Sequence, residues 1–264
     1  MEPVDHDKAP PSPLAFFSGP RAALGFLTRV PCGKTPVAAA ALAWAAAWFP
    51  AVGCLLGLAA SGVFATLHRA GSLVASVITV AFLALVTGAL HEDGLADSAD
   101  ALGGSFDRTK LFAILKDSRI GSFGATALIL VLLLRVVALA ELGPMTTGAL
   151  LLGQTVSRAT PVWLMALMPY VTPAETARSS NLVNARLSHA LIASGFALAT
   201  ASALVLGRHL SLQAVLVAVL AAAAVTAVCG WRFHARAGGI TGYFLGATQQ
   251  LTDAAILVAI AAGY

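Results

Sequence analysis

An all-α, polytopic bundle of membrane helices, with about seven transmembrane helices behind an N-terminal interfacial helix, follows from three features of the 264-residue chain. Hydrophobic residues make up 58% of it and charged residues 11%, against about 25% charged in an ordinary soluble domain. The mean hydropathy is +0.85. The apolar residues also come in blocks close to the ~20 residues that cross a bilayer. A soluble enzyme, a disordered chain and a disulfide scaffold are therefore excluded. Cys32, Cys54 and Cys229 have no CxxC or CxH spacing and read as packing residues. Net charge is +4, but in a membrane protein the placement of basic residues reports topology, so no nucleic-acid partner follows.

Residues 1–13 combine Pro3, Pro10, Pro11 and Pro13 with alternating charge, too little apolar surface to offset ordering. They read as a flexible tail before a single integral-membrane domain, 14–264. They do not read as a secretory signal, because no apolar region follows a basic start. Phe16, Phe17, Leu24, Phe26 and Leu27 interleave with Arg21 and Arg29, which predicts a helix lying at the headgroup level or an ordinary packing segment. Spans are predicted at about 44–67, 72–90, 124–140, 146–168, 189–206, 211–229 and 249–264. Pro50 could divide the first block, which makes six or eight crossings the alternatives. In the seven-span arrangement Lys8, Arg21, Arg29, Lys34, Arg108, Lys110, Lys116, Arg119, Arg178, Arg186, Arg232 and Arg236 share one side. Only Arg69 and Arg208 fall opposite. The positive-inside rule then places the amino terminus and the basic loops in the cytoplasm.

Glu92, Asp93, Asp97, Asp100, Asp107 and Asp117 are half of the 12 acidic residues, gathered between positions 92 and 117. Within HEDGLADSADALGG (91–104), Asp93, Asp97 and Asp100 are spaced i, i+4, i+7, which puts them within about 60° on one helix face. Like charges so placed repel. A divalent cation turns that repulsion into ligation, and carboxylate oxygens favour Mg²⁺, Mn²⁺ or Ca²⁺. A solvated acidic face is the plainer alternative, but the stripe starts where an apolar span ends, a setting that favours a site. Gly94 would let a phosphate or metal approach the backbone, or simply loosen a helix start. His91 reads as a proton acceptor, a metal ligand or a hydrogen-bonded interfacial histidine.

LKDSRIGSFGA (115–125) sets Lys116, Asp117 and Arg119 beside Gly121 and Gly124, and such cations and backbone amides suit phosphate. RAGGITGYFLG (236–246) is a second glycine-rich segment, where Thr241 and Gly242 could form a backbone cradle or a turn. Arg135 and Arg158 fall inside apolar segments and need partners, since an unpaired charge there costs at least ~2.5 kcal/mol. Arg158, about midway along 146–168, is the stronger candidate for a buried anion contact.

HEDGLADSADALGG, ILKDSRIGSFGA, FLTRVP (26–31) and GGITG (238–242) together resemble the adenosylcobinamide-GDP ribazoletransferase family, the cobalamin 5′-phosphate synthases of the bacterial inner membrane. The resemblance runs over most of the chain from about Phe16. It implies a Mg²⁺-dependent enzyme that joins adenosylcobinamide-GDP to alpha-ribazole or its 5′-phosphate and releases GMP. It further implies that Asp93, Asp97 and Asp100 hold the metal and that His91 and Gly94 belong to the same signature. Lys116, Asp117 and Arg119 match a K-D-S-R signature, and Arg158 matches an arginine in a central span. The family's T-G-D-x-x-G motif is altered here, with Tyr243 in the acidic position. A neutral phenol ligates metal poorly, so either the activity is altered or the three aspartates dominate ligation. Ribazole preference, metal count and assembly as a homo-oligomer stay open.

Two other classes share part of this pattern. A CDP-alcohol phosphotransferase also sets aspartates on membrane helices, but its D-G-x-x-A-R-x8-G-x3-D-x3-D spacing is not met. A secondary transporter would place carboxylates at the bilayer midplane, whereas almost every acid here is at a predicted cytoplasmic edge.

Overall fold

The computed structural model describes residues 13–33, 39–171 and 185–263. The tail is therefore outside the described residues except for Pro13, and so are Lys8, Lys34 and Arg178. The described residues form ten α-helices and short 3-10 turns, with one isolated bridge, between Tyr170 and Ile240. This is the all-α bundle expected from composition.

Helix α1 (Gly19–Leu27) has Pro20 in its first turn, where a missing N–H costs nothing. It buries Ala22, Ala23 and Leu27 and leaves Phe26 partly exposed, stacked on Phe49. Nine residues rise only about 14 Å, so α1 cannot cross a bilayer and packs flat on α2 (Ala39–Leu67). The Trp48 indole of α2 donates to the Phe16 carbonyl at 3.1 Å. Pro50 lies inside α2 without dividing it.

Helix α3 (Ser72–Thr87) ends at Gly88 and Ala89, both left-handed with φ 64° and 55°. These two residues turn the chain by 91° into α4 (Leu90–Gly104). Gly88 is required twice over, because a Cβ there would also run into the Arg29 side chain. Helix α5 (Arg108–Ile114) is capped by Asp107, which accepts from the Lys110 amide at 2.8 Å. Next come α6 (Ser122–Glu141), α7 (Thr146–Leu167), α8 (Leu187–Leu206), α9 (Leu212–Ala237) and α10 (Gly242–Ala262).

The expected seven spans are not what the helices supply. Five, namely α2, α6, α8, α9 and α10, are long and apolar enough to cross a membrane, or six if the bent pair α3 and α4 makes one span. The chain is a multi-pass membrane protein. Helix α3 alone has 16 residues, or about 24 Å, short of a ~30 Å hydrocarbon core. Helix α7, expected to span at 146–168, carries Gln154, Thr155, Ser157, Arg158 and Thr160 through its middle, and nearly all of it is buried. A polar helix is tolerated there because it faces protein rather than lipid. Gly53 and Gly57 let α2 approach the α7 backbone, with Leu150 O 2.9 Å from where a Gly57 side chain would begin.

Candidate active site on the α4 carboxylate stripe

Helix α4 opens with Glu92 and Asp93, where the helix dipole favours negative charge. Asp93, Asp97 and Asp100 share a face as expected, but their surroundings differ. Asp93 is exposed, Asp97 half-buried and Asp100 buried. The two oxygens of Asp100 accept from the amides of Gly121 at 2.7 Å and Gly124 at 2.8 Å, so its carboxylate caps α6. Side chains at either glycine would collide with that carboxylate. These amides, which the sequence offered to phosphate, are thus taken by Asp100. The side-chain carboxylates of Asp93 and Asp97 have no hydrogen bond or ion pair among the described residues.

No group of three His, Cys, Asp or Glu side chains among the described residues is arranged to hold a metal. Magnesium at phosphoryl-transfer sites is held by one or two carboxylates, with water and substrate phosphates completing the shell. The unpartnered Asp93 and Asp97, one turn apart, fit such an incomplete seat. Each oxygen of Asp100 retains acceptor capacity beyond its single amide.

Opposite the stripe is the start of α10. It begins at Gly242 rather than near 249, and Thr241 accepts from the Phe244 amide at 3.4 Å. Gly94 meets that helix: a Cβ would fall 2.8 Å from the Tyr243 carbonyl and 3.1 Å from the Gly246 Cα. The backbone that approaches Gly94 most closely is therefore α10. Ahead of it, the Ile240 amide donates to Pro169 O and the Val171 amide to Ile240 O, both at 2.9 Å. The Tyr170 hydroxyl lies 3.7 Å from where a Gly242 side chain would begin. Tyr243 is half-buried within electrostatic range of Asp97, Asp93 and Tyr170. The residue that departs from the family pattern thus stands against the stripe.

The K-D-S-R loop follows α5 and is drawn in by the Asp100 cap. Within it Asp117 accepts from the Arg119 guanidinium at 2.6, 3.0 and 3.2 Å. Those hydrogen bonds hold the Asp117 carboxyl at about 2, well below its usual value. Lys116 is exposed. His91 is buried at the α4–α10 contact, where a Gly246 Cβ would lie 3.4 Å from the His91 Cα. The His91 ring makes no hydrogen bond among the described residues, and Arg158 and Arg135 stand within electrostatic range of it.

Behind the stripe is a buried polar network that sequence reasoning missed apart from the need of Arg135 and Arg158 for partners. Arg135 on α6 pairs with Asp253 on α10 at 2.9 Å and with Glu92 at 3.6 Å, and donates to Gln250 at 2.7 Å. Gln250 donates to Glu92 at 3.1 Å, and Gln154 on α7 to Asp253 at 3.0 Å. Arg158 donates to the Gln154 carbonyl and side chain at 3.1 and 2.7 Å, while its Nε, the Arg135 Nε and Glu92 Oε2 are buried without partners. Two arginines and two carboxylates balance in charge, and both arginines stand within electrostatic range of His91. The available signal was Gln154, Gln249, Gln250 and Asp253 interrupting apolar blocks.

The chain matches the cobalamin-5-phosphate synthase family over residues 19–261. It is 38% identical over 272 residues to the adenosylcobinamide-GDP ribazoletransferase of Albidiferax ferrireducens, covering 91% of this chain and 96% of that one. It is 41% identical over 223 residues to the enzyme of that name from Rhizobium meliloti, covering 81% and 83%. The one from Shewanella piezotolerans is 37% identical over 237 residues, covering 88% and 90%. No solved structure matches. The match covers every element that builds the stripe, the α6 cap and the start of α10, and the chain belongs to the cobalamin-5-phosphate synthase family of transferases.

Proposed function

We propose that this enzyme transfers the adenosylcobinamide-phosphate moiety of adenosylcobinamide-GDP to alpha-ribazole or alpha-ribazole 5′-phosphate, releasing GMP. The observation that carries this reading is the unpartnered Asp93–Asp97 pair beside a loop of cations tethered through Asp100. Mg²⁺ on Asp93 and Asp97 would supply charge neutralisation of the pyrophosphate and its leaving group. Lys116 and Arg119 hold phosphate oxygens at the rim, with Asp117 fixing the Arg119 guanidinium. Arg158, whose buried Nε has no partner, would be the inner anion contact.

His91 accepts the proton of the attacking ribazole hydroxyl, a step that contributes about 10² to 10⁴ in rate. The new bond joins that oxygen to the phosphorus on the corrinoid side. The bond from this phosphorus to the bridging oxygen breaks, and that oxygen leaves with GMP. The reading places the catalytic loops and amino terminus in the cytoplasm at a bacterial inner membrane, an orientation that the clustering of basic side chains on that side supports.

Purified protein incubated with adenosylcobinamide-GDP, alpha-ribazole and Mg²⁺ yields GMP and a cobalamin product by mass spectrometry. Failure to form both, in protein that is folded and membrane-inserted, rules the reading out.

A further inference from the structure

Helices α1 and α2 do not close on each other along the whole of their contact. Between them lies a cleft of about 350 Å³, lined by Leu24 of α1, Pro31 of the loop that follows it, and Trp48, Ala51 and Leu55 of α2. That volume is at the small end of ligand sites. The walls are apolar, and among the described residues lining the cleft Arg21 is the charged one. Arg21 is anchored there, because its Nε donates to the Cys32 carbonyl at 2.7 Å. A carbonyl is a neutral acceptor, so this bond leaves the guanidinium charge in place, and a guanidinium carries further N–H groups on its two terminal nitrogens.

Helix α2 sets how the cleft stands in the bilayer. Its apolar stretch, Ala41–Ala70, has 30 residues and rises about 45 Å, about 15 Å more than a hydrocarbon core needs. The surplus leaves its first turns at the headgroup level, where Trp44 and Trp48 suit an aromatic belt. Gly19 fixes the height of α1, since a Cβ there would fall 2.6 Å from the Trp48 ring. Helix α1 thus starts against Trp48, with Arg21 two residues on. From Trp48 to Leu55, α2 advances about 10 Å into the span. Leu55 is 59% exposed and Leu58, on the same side of a crossing helix, 52%, so this side meets lipid tails. The cleft therefore runs into the lipid-facing side of α2 at its deep end and carries a cation at its shallow end.

A phospholipid is complementary to both ends, with a phosphate for the guanidinium and an acyl chain for the apolar wall. We propose that the α1–α2 cleft binds one anionic phospholipid, its phosphate on Arg21 and an acyl chain running from Trp48 past Leu55. The site shares no residue with the carboxylate stripe and is independent of the transfer reading.

The test reconstitutes the full chain into nanodiscs of equal phosphatidylglycerol and phosphatidylcholine, releases it for native mass spectrometry and counts the lipids retained. Wild type keeps one lipid, with phosphatidylglycerol favoured about fivefold, the worth of one arginine at a bilayer surface. Ala51→Trp fills the cleft and removes that lipid. Should this variant not fold, Ala51→Leu narrows the same cleft and lowers retention. Arg21→Gln still keeps a lipid but levels the preference to within twofold. Arg21→Lys retains the charge without the Nε bond to Cys32, so it preserves the preference, which a role confined to holding the loop would not. Equal retention of the two lipids by wild type overturns the proposal, as does a preference lost in Arg21→Lys to the same extent as in Arg21→Gln. Phosphatidylglycerol that stays bound in the folded Ala51 variants marks lipid held elsewhere on the surface, and a wild type that retains none marks a cleft with no resident lipid; either result also overturns it.

Discussion

Asp97 and Asp100 carry the same functional group three residues apart, yet their partners assign them different work. Asp100 holds the amides of Gly121 and Gly124, and hydrogen bonds to a charged acceptor contribute about 1.5–3 kcal/mol each. Asp100→Ala is therefore expected to lower thermal stability and loosen the K-D-S-R loop, read as faster proteolysis at 115–121. Asp97 has no partner among the described residues, so Asp97→Asn leaves the melting temperature close to wild type while turnover falls on the order of 10²-fold or more. Equal melting losses in both variants would show that the stripe is structural throughout. At Asp117 the carboxyl is pulled down to about 2 by Arg119. Because its folded value is depressed, the ion pair is complete above the usual carboxylate range and is lost only as pH falls toward 2. Asp117→Asn is thus expected to lower activity without changing the shape of the pH–rate profile above pH 5.

Among the elements, α4 is seated by two contacts the sequence did not reveal: the glycine crossing with α10 and the network behind it. Glu92 is 43 residues from Arg135 and 158 from Gln250 in sequence, so no local pattern connects them. What the sequence did reveal was contiguous: the stripe shows because its three carboxylates lie within one helix, and the paired glycines beside K-D-S-R show for the same reason. The start of α10 was misplaced by seven residues because Gln249 and Gln250 lower the apolar score of a segment that the fold surrounds with protein. Removing one partner of a buried ion pair costs about 3–5 kcal/mol. Arg135→Met is therefore expected to destabilise the detergent-solubilised protein by about that much, since Asp253 and Glu92 lose their cation. Adding Asp253→Asn to that variant should recover part of the loss. A second substitution that instead costs as much again would show that Asp253 depends on Gln154 and not on Arg135.

At the scale of the whole molecule, the number of spans decides less than the ties between loops. Asp100 binds the α6 start to α4, Arg236 reaches the Ser105 carbonyl, and Arg108 packs on Gly238. The three motif segments therefore share one end of the bundle whether α3 and α4 together cross or re-enter. Arg29 joins them by lying on Gly88 at the bend between α3 and α4. Helix α9, at 26 residues, rises about 39 Å from the turn holding Arg208 to Arg236, and α2 likewise separates Arg69 from α1. Arg69 and Arg208 are thus carried to the opposite end, which is the asymmetry the positive-inside rule converts into orientation. With Cys32, Cys54 and Cys229 replaced, single cysteines at exposed Ser118, Arg69 and Arg208 test it. An impermeant maleimide is expected to label Arg69→Cys and Arg208→Cys in intact spheroplasts and Ser118→Cys only in inverted vesicles. Labelling of Ser118→Cys from outside would put the carboxylate stripe in the compartment that holds no nucleotide substrate, and the transfer reading could not survive it.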